Sequence, residues 1–243
     1  MDLQLTSRRA LVTGAAGGIG RAAVDALAAE GARVGAIDLD PRVRGLTRPA
    51  RVADLTDAAA AAAAVDACAE ELGGVDVLVL AAGVSGPVGT PLGQTALVDW
   101  ERVFAVNVTG AFLVLRAALP WLRRSDAPAV VVVASDSALV ATAGMAPYGA
   151  SKAALLQLAR AAAVEFAAEG IRVNAVCPSI VDTPLSRGDL GMPDGFAAAD
   201  YPVQTSAEVA DQIVLLASPR LRPVSAAAWV SDFGVSARSG FPA

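Results

Sequence analysis

Short runs of β-branched and aliphatic residues alternate along this chain with alanine- and leucine-rich stretches of helical length. Ala10–Thr13 reads as a strand, and Gly18–Glu30 follows as a helix with Gly31 as its stop. Arg33–Ile37 is the next strand and Arg51–Ala53 a short one; Asp57–Leu72 reads as a helix capped by Thr56 or Asp57. Within that helix Ala58–Ala64 is an unbroken alanine run, the best helix-forming composition and a small face for close packing on a sheet. Val75–Leu80 is apolar throughout, as expected of a strand covered on both faces. Trp100–Leu122 and Tyr148–Glu169 read as long helices, Ala129–Ala134 and Arg172–Val176 as strands. Ala207–Ala217 is helical and Ala227–Val230 the last strand. Thr183–Gln204, rich in Pro and Gly, is the one long irregular stretch, of the kind that forms lids and binding loops. The alternation predicts βαβ units, hence one doubly wound α/β domain over 1–243 with about seven parallel strands and helices on both faces.

Composition narrows the function classes. With 55% hydrophobic and 18% charged residues, the 243-residue chain can bury a sizeable core. A net charge of -5 argues against nucleic acid or an anionic membrane as partner. Cys68 and Cys177 show neither metal nor disulfide spacing, which fits a reduced cytoplasmic compartment. No apolar run approaches the roughly 18 residues of a spanning helix; Val75–Val84 is the longest, and Asp76 interrupts it. Arg8-Arg9 is followed by a glycine-rich turn rather than an apolar signal region, so the start reads as mature protein. Histidine is absent, which removes His-based zinc sites and any Ser-His-Asp triad; no metal is expected. Proton transfer near neutral pH then falls to another group, and Lys152, the only lysine, stands four residues after Tyr148, one of two tyrosines. Positions i and i+4 share a helix face, so both can act on one substrate.

Two segments carry cofactor chemistry. Gly14, Ala16, Gly17, Gly18, Ile19 and Gly20 lie between the first strand and the first helix. Glycines there permit a tight turn and let backbone N–H groups approach a pyrophosphate at the helix N-terminus, the Rossmann-type arrangement. Asp38 ends the second strand; its carboxylate can accept from the adenosine ribose hydroxyls and repel a 2′-phosphate, or serve as a turn residue beside Asp40-Pro41. Asp54-Leu55 ends the third strand, placed to flank an adenine or simply to turn the chain.

With Tyr148-Gly149-Ala150-Ser151-Lys152 opening a helix, the chain resembles the short-chain dehydrogenase/reductase family over nearly its whole length. The loop Thr13-Gly14-x-x-x-Gly18-Ile19-Gly20 matches the family's cofactor loop, and Asn107-Val108-Thr109-Gly110 contains its active-site asparagine. Ser135, thirteen residues before Tyr148, has the spacing of its catalytic serine, with Ser137 as a rival. Gly170–Val176, Pro178 and Thr183-Pro184 match the segment around the nicotinamide. The resemblance implies Tyr148 as general acid/base, with Lys152 lowering its pKa and holding the nicotinamide ribose. It implies Ser135 as donor to the substrate oxygen, and Asn107 holding a water beneath Lys152 to relay the proton. It further implies Ala82, Gly83, Pro178, Val181 and Thr183 around the cofactor. Asn107 can alternatively be a polar residue at a helix kink, and Thr183 a turn residue before proline.

Departures from the pattern are Leu80-Ala81-Ala82-Gly83 in place of Asn-Asn-Ala-Gly, Ser179 in place of glycine, and Ser231-Asp232-Phe233-Gly234 in place of Val-Asp-Gly-Gly. Where NADP-using relatives carry a basic residue this chain has Ala16, Gly17 and Leu39 beside Asp38, so NAD is expected over NADP, with Arg42 and Arg44 nearby. The expected reaction is hydride transfer between NAD(H) and a small to medium secondary alcohol or ketone. Ser85, Leu139, Met145 and the loop 183–206, with Leu190, Met192 and Phe196, are expected to line an apolar pocket together with Ser135 and Tyr148. The alternatives are a 3-oxoacyl thioester reductase using NADPH, a non-redox lyase or epimerase on the same scaffold, and a nucleotide-binding regulatory protein without turnover. The resemblance also implies a homotetramer or homodimer built on the two long helices.

Overall fold

The β-branched runs form the strands of one parallel sheet in a computed structural model that describes residues 2–238. They are β1 (Arg9–Thr13), β2 (Arg33–Asp38), β3 (Ala50–Val52), β4 (Val77–Leu80), β5 (Ala129–Val133) and β6 (Arg172–Pro178). The tiny strands β7 (Val181–Asp182) and β8 (Gln204–Thr205) pair with each other, and β9 (Ala228–Ser231) closes the sheet. The large sheet runs β3-β2-β1-β4-β5-β6-β9 with every pair parallel. This is the doubly wound Rossmann-type fold expected from the alternation.

Helices α1 (Gly18–Ala29) and α7 (Ser206–Ala217) pack together on one face. On the other face lie α2 (Ala58–Leu72), α4 (Ala111–Leu122) and α5 (Ala146–Glu165). Side chains alternate along each strand, so Leu78 and Leu80 enter one core while Val77 and Val79 enter the other. That is why β4 reads as apolar without a break. Asp57 caps α2 by accepting from Ala59 and Ala60 N–H at 2.8 and 2.9 Å, and Ala61 and Ala64 of the alanine run are buried. Asp76, at the N-terminal end of β4, accepts from the Arg9 main chain and guanidinium and from Ser125. Burial alone would raise its pKa, yet Arg9 and Ser125 hold it down at about 2.

Four expectations need correction. The long helix begins at Leu97, as α3 (Leu97–Phe104), and passes into α4 through a π-helical turn over Ala105–Gly110. Leu97–Leu122 is thereby one 26-residue helical stretch with the length and composition of a membrane span, where no such run was expected. Its buried Leu113, Val114, Ala118 and Leu122 face the sheet core. Helix α5 starts at Ala146 rather than Tyr148, because Pro147 suits a first turn that needs no N–H there, and it ends at Glu165. The stretch Thr183–Gln204 is not wholly irregular: Thr183 and Ser186 form a capping box that starts α6 (Pro184–Asp189).

Candidate active site

The strand order reverses between β2 and β4 around β1, and a cleft of about 810 Å³ opens at the carboxyl ends there. Gly14, Ala16, Gly17, Gly18, Ile19 and Gly20 line one side of it. Gly14 adopts φ +64°, and a Cβ on it would stand 2.7 Å from Ala82 Cα. A Cβ on Gly20 would stand 2.1 Å from the Gly14 carbonyl oxygen, so the turn closes only with glycine at both places. Helix α1 starts at this turn with no side-chain cap, which leaves its first N–H groups facing the cleft. Asp38 and Leu39 line the far end together with Asp54 and Leu55. The Asp38 carboxylate accepts from Ala16 N–H and Asp40 N–H, each at 2.8 Å, and so holds the glycine turn. Asp54 accepts instead from Thr56, and Arg42 is paired with Asp40 at 2.6 Å.

Ala82, Gly83 and Thr183 also line this cleft, whereas Pro178 and Val181 do not. Thr183 is the N-cap of α6, with its methyl carbon against Gly18. The Val181 carbonyl accepts from Ser186 Oγ. The departure at Ala81-Ala82 has a local counterpart: the Thr13 hydroxyl donates to Val79 O and accepts from Ala81 N–H, tying the ends of β1 and β4. Ser179 N–H donates to Ser231 O, extending the pairing of β6 with β9. Asp232 accepts from Gly234 and Ser236 N–H and shapes the turn that carries the exposed Phe233.

Asn107 sits in the π-helical turn and is fully buried. Its Oδ1 accepts from Val84 N–H at 2.8 Å, and its amide donates to Val84 O and Ser151 Oγ, each at 2.9 Å. The side chain thus clamps the segment after β4. Lys152, 5% exposed on α5, donates to Val133 O at 2.9 Å, and its ammonium lies 5.6 Å from the centre of the Tyr148 ring. Burial lowers the Lys152 pKa to about 8. Burial also pushes the Tyr148 phenol up to about 12; Ser135 acts against that rise, while the Asp136 and Asp189 charges add to it. Ser135 is 5% exposed at the end of β5, where its hydroxyl donates to Asp136 and accepts from Ser137 N–H. Among the described residues the hydroxyl of Ser137, its rival by sequence, reaches only Asp136.

The expected substrate residues divide. Ser85 is buried and donates to Asp189 at 2.5 Å, while Leu139 and Leu190 are each 43% exposed. Met145 and Met192 are half-buried, and Phe196 is 8% exposed. Asp136 and Asp189 went unnoticed in the sequence because their influence on Tyr148 depends on contacts formed only in the fold.

The family model described as enoyl-(acyl carrier protein) reductase matches residues 14–236. The chain is 38% identical to the 2-(R)-hydroxypropyl-CoM dehydrogenase of Xanthobacter autotrophicus, over 93% of this chain and 97% of that one. It is equally 38% identical to the cis-4-hydroxycyclohexanecarboxylate dehydrogenase of Sinomonas cyclohexanicum, over 98% and 100% of the two chains. The solved 3-ketoacyl-(acyl-carrier-protein) reductase of Brucella melitensis, complexed with NADH, superposes with a TM-score of 0.88 at 27% identity, over 96% and 100%. The chain therefore belongs to the short-chain dehydrogenase/reductase family and is an oxidoreductase acting on CH–OH groups.

Proposed function

We propose that this enzyme is an NAD-dependent dehydrogenase of small to medium secondary alcohols, reversible toward their ketones, with Tyr148 as its acid/base. The observation that carries the reading is the meeting of Tyr148 with the buried ammonium of Lys152, 5.6 Å from its ring, next to a glycine-lined cleft. The two dehydrogenases named above act on a hydroxypropyl and a hydroxycyclohexane compound, which fits a secondary carbinol.

The residues present fit a dinucleotide. The uncapped start of α1 offers free N–H groups to a pyrophosphate, and each Asp38 oxygen, already accepting one amide, keeps capacity for a ribose hydroxyl. Arg42 is paired with Asp40 and Arg44 does not line the cleft, so a 2′-phosphate would first meet the Asp38 carboxylate, which favours NAD. Gly83, Thr183, Pro178 and the Val181 main chain stand on the nicotinamide side in this reading, and Asp54 and Leu55 on the adenine side. When bound, the cofactor supplies the hydride acceptor or donor and, oxidised, a positive charge.

Tyr148 with a pKa near 12 is a poor base by itself, so catalysis requires positive charge at the phenol. Lys152, whose ammonium now donates to Val133 O, would provide that charge and would hold the ribose of a bound cofactor. Ser135 turns its hydroxyl from Asp136 to the substrate oxygen and stabilises charge developing there. Both amide hydrogens of Asn107 are donated within the protein, so a relay water under Lys152 would be held by the Asn107 main-chain carbonyl. Residues 183–206 act as the substrate loop, with Ser85, Leu139, Met145, Leu190, Met192 and Phe196 shaping the pocket.

We read the whole chain as one cytoplasmic catalytic domain, assembled as a homotetramer or homodimer through α4 and α5. Phe112 and Val164, 44% and 74% exposed on those helices, support that assembly. The test is nicotinamide reduction by purified protein with NAD and a panel of secondary alcohols, alongside Tyr148→Phe. Turnover by the wild type and a loss of at least about a hundredfold in Tyr148→Phe are expected. Equal silence of both proteins on every alcohol and ketone, with cofactor still bound, would sink the reading.

A further inference from the structure

The Ser85 hydroxyl donates to Asp189 Oδ2 across 104 positions of sequence, bringing the end of α6 to the segment after β4. That segment is fixed at the catalytic residues. Asn107 holds both main-chain groups of Val84, and a methyl on Gly83 would stand 3.5 Å from Lys152 Nζ. Ser85 is the next residue along, so Asp189 arrives beside the same groups. Asp136 accepts from Ser135. Both carboxylates bear on the Tyr148 phenol.

Little positive charge answers Asp189. Arg187, on the same short helix, is held by Asp182 through two hydrogen bonds of 2.5 and 3.0 Å. Lys152 is buried and donates to Val133 O. Among the described residues only one Asp189 oxygen takes a hydrogen bond, the one from Ser85, and Oδ1 takes none.

We propose that Asp189 is a specificity-determining residue that selects neutral or cationic secondary alcohols carrying a second hydrogen-bond donor, a hydroxyl or an ammonium, close to the reacting carbinol. Its free oxygen receives that donor. Asp136 and Asp189 together turn away substrates with a carboxylate at the same place, by repulsion rather than by shape. The proposal rests on the reading of this site as a Tyr148-dependent alcohol dehydrogenase.

The test uses a ladder of four-carbon secondary alcohols matched in size, bearing beside the carbinol an ammonium, a second hydroxyl or a carboxylate. Their kcat/KM values are measured with NAD for the wild type and Asp189→Asn, and their binding to the NADH-loaded proteins by calorimetry. In the wild type the amino alcohol and the diol should exceed the hydroxy acid by at least about tenfold. Asp189→Asn should shrink the amino-alcohol to hydroxy-acid ratio by at least about tenfold. A ratio that Asp189→Asn leaves unmoved, or a wild type that prefers the hydroxy acid, overturns the proposal. The two readings fail separately. Undiminished turnover in Tyr148→Phe removes the acid/base assignment while the binding ranks still decide the role of Asp189. If no alcohol is oxidised, those ranks alone decide it.

Discussion

Replacing Lys152 with methionine should stabilise the nucleotide-free protein at pH 7 while abolishing turnover. The folded state lowers this ammonium from its ordinary 10.5 to about 8. At 1.36 kcal/mol per pH unit, the buried charge therefore opposes folding by about 3 kcal/mol at pH values below 8. Methionine keeps an unbranched stem in the same buried space. It also leaves Val133 O without its partner, which costs about 1 kcal/mol. A net gain of about 2 kcal/mol is expected. The pH dependence has a definite sign. Above about 8 the folded protein sheds the proton while the unfolded chain keeps it up to 10.5, so wild-type stability rises with pH over that window. The variant has no such proton, and its advantage should vanish by about pH 10. Urea unfolding of both proteins without nucleotide, at the two pH values, measures this directly. A variant less stable than the wild type at pH 7, or a difference that stays constant with pH, would refute the claim that the ammonium is held against its solvation.

Gly20→Ala puts a methyl 2.1 Å from a main-chain oxygen that has no flexible end to yield, so NAD affinity in a fluorescence titration should fall by at least about tenfold. Undiminished affinity would show that the turn can open without loss. Asn107→Ala removes the partners of both Val84 main-chain groups and should lower stability by about 2–4 kcal/mol in urea unfolding, together with activity. For alcohol oxidation, kcat/KM should rise with pH from about 7 to about 8, since Tyr148 must lose a proton that burial holds on, and should level off or fall above about 8 as Lys152 loses the charge that favours the phenolate. Asp136→Asn should move that rise to lower pH, because Asp136 helps retain the proton; a profile unchanged by the substitution would contradict the field assigned to it.

The framework was legible because its signals are local. Valine and leucine runs set the strands, Asp57 announced α2, and the glycines before α1 announced the cleft. The site was legible in part, through the spacing of Ser135, Tyr148 and Lys152. Asn107 was expected either to serve the site or to mark a kink, and it sits in a π-helical turn where its side chain clamps Val84. What stayed hidden depends on contacts across the fold. No sequence pattern ties Ser85 to Asp189, because that pair is made by the placement of α6 against the segment after β4. The start of α3 was missed for another reason: Ala96 provides no side-chain cap to mark it.

The π-helical turn at Ala105–Gly110 has a consequence for how this enzyme tolerates insertions and deletions. Such a turn holds one residue more than the α-helix around it, so the stretches before and after it are out of phase by about 100°. Helix α3 packs against α5 on one side of that phase break, and α4 covers the sheet on the other. Deleting a single residue there would give a more regular helix and, at the same time, rotate one of those two faces away from its partner. Helical regularity and a working fold are opposed at this point. Length change in this segment should be far less tolerated than the substitution of its exposed side chains.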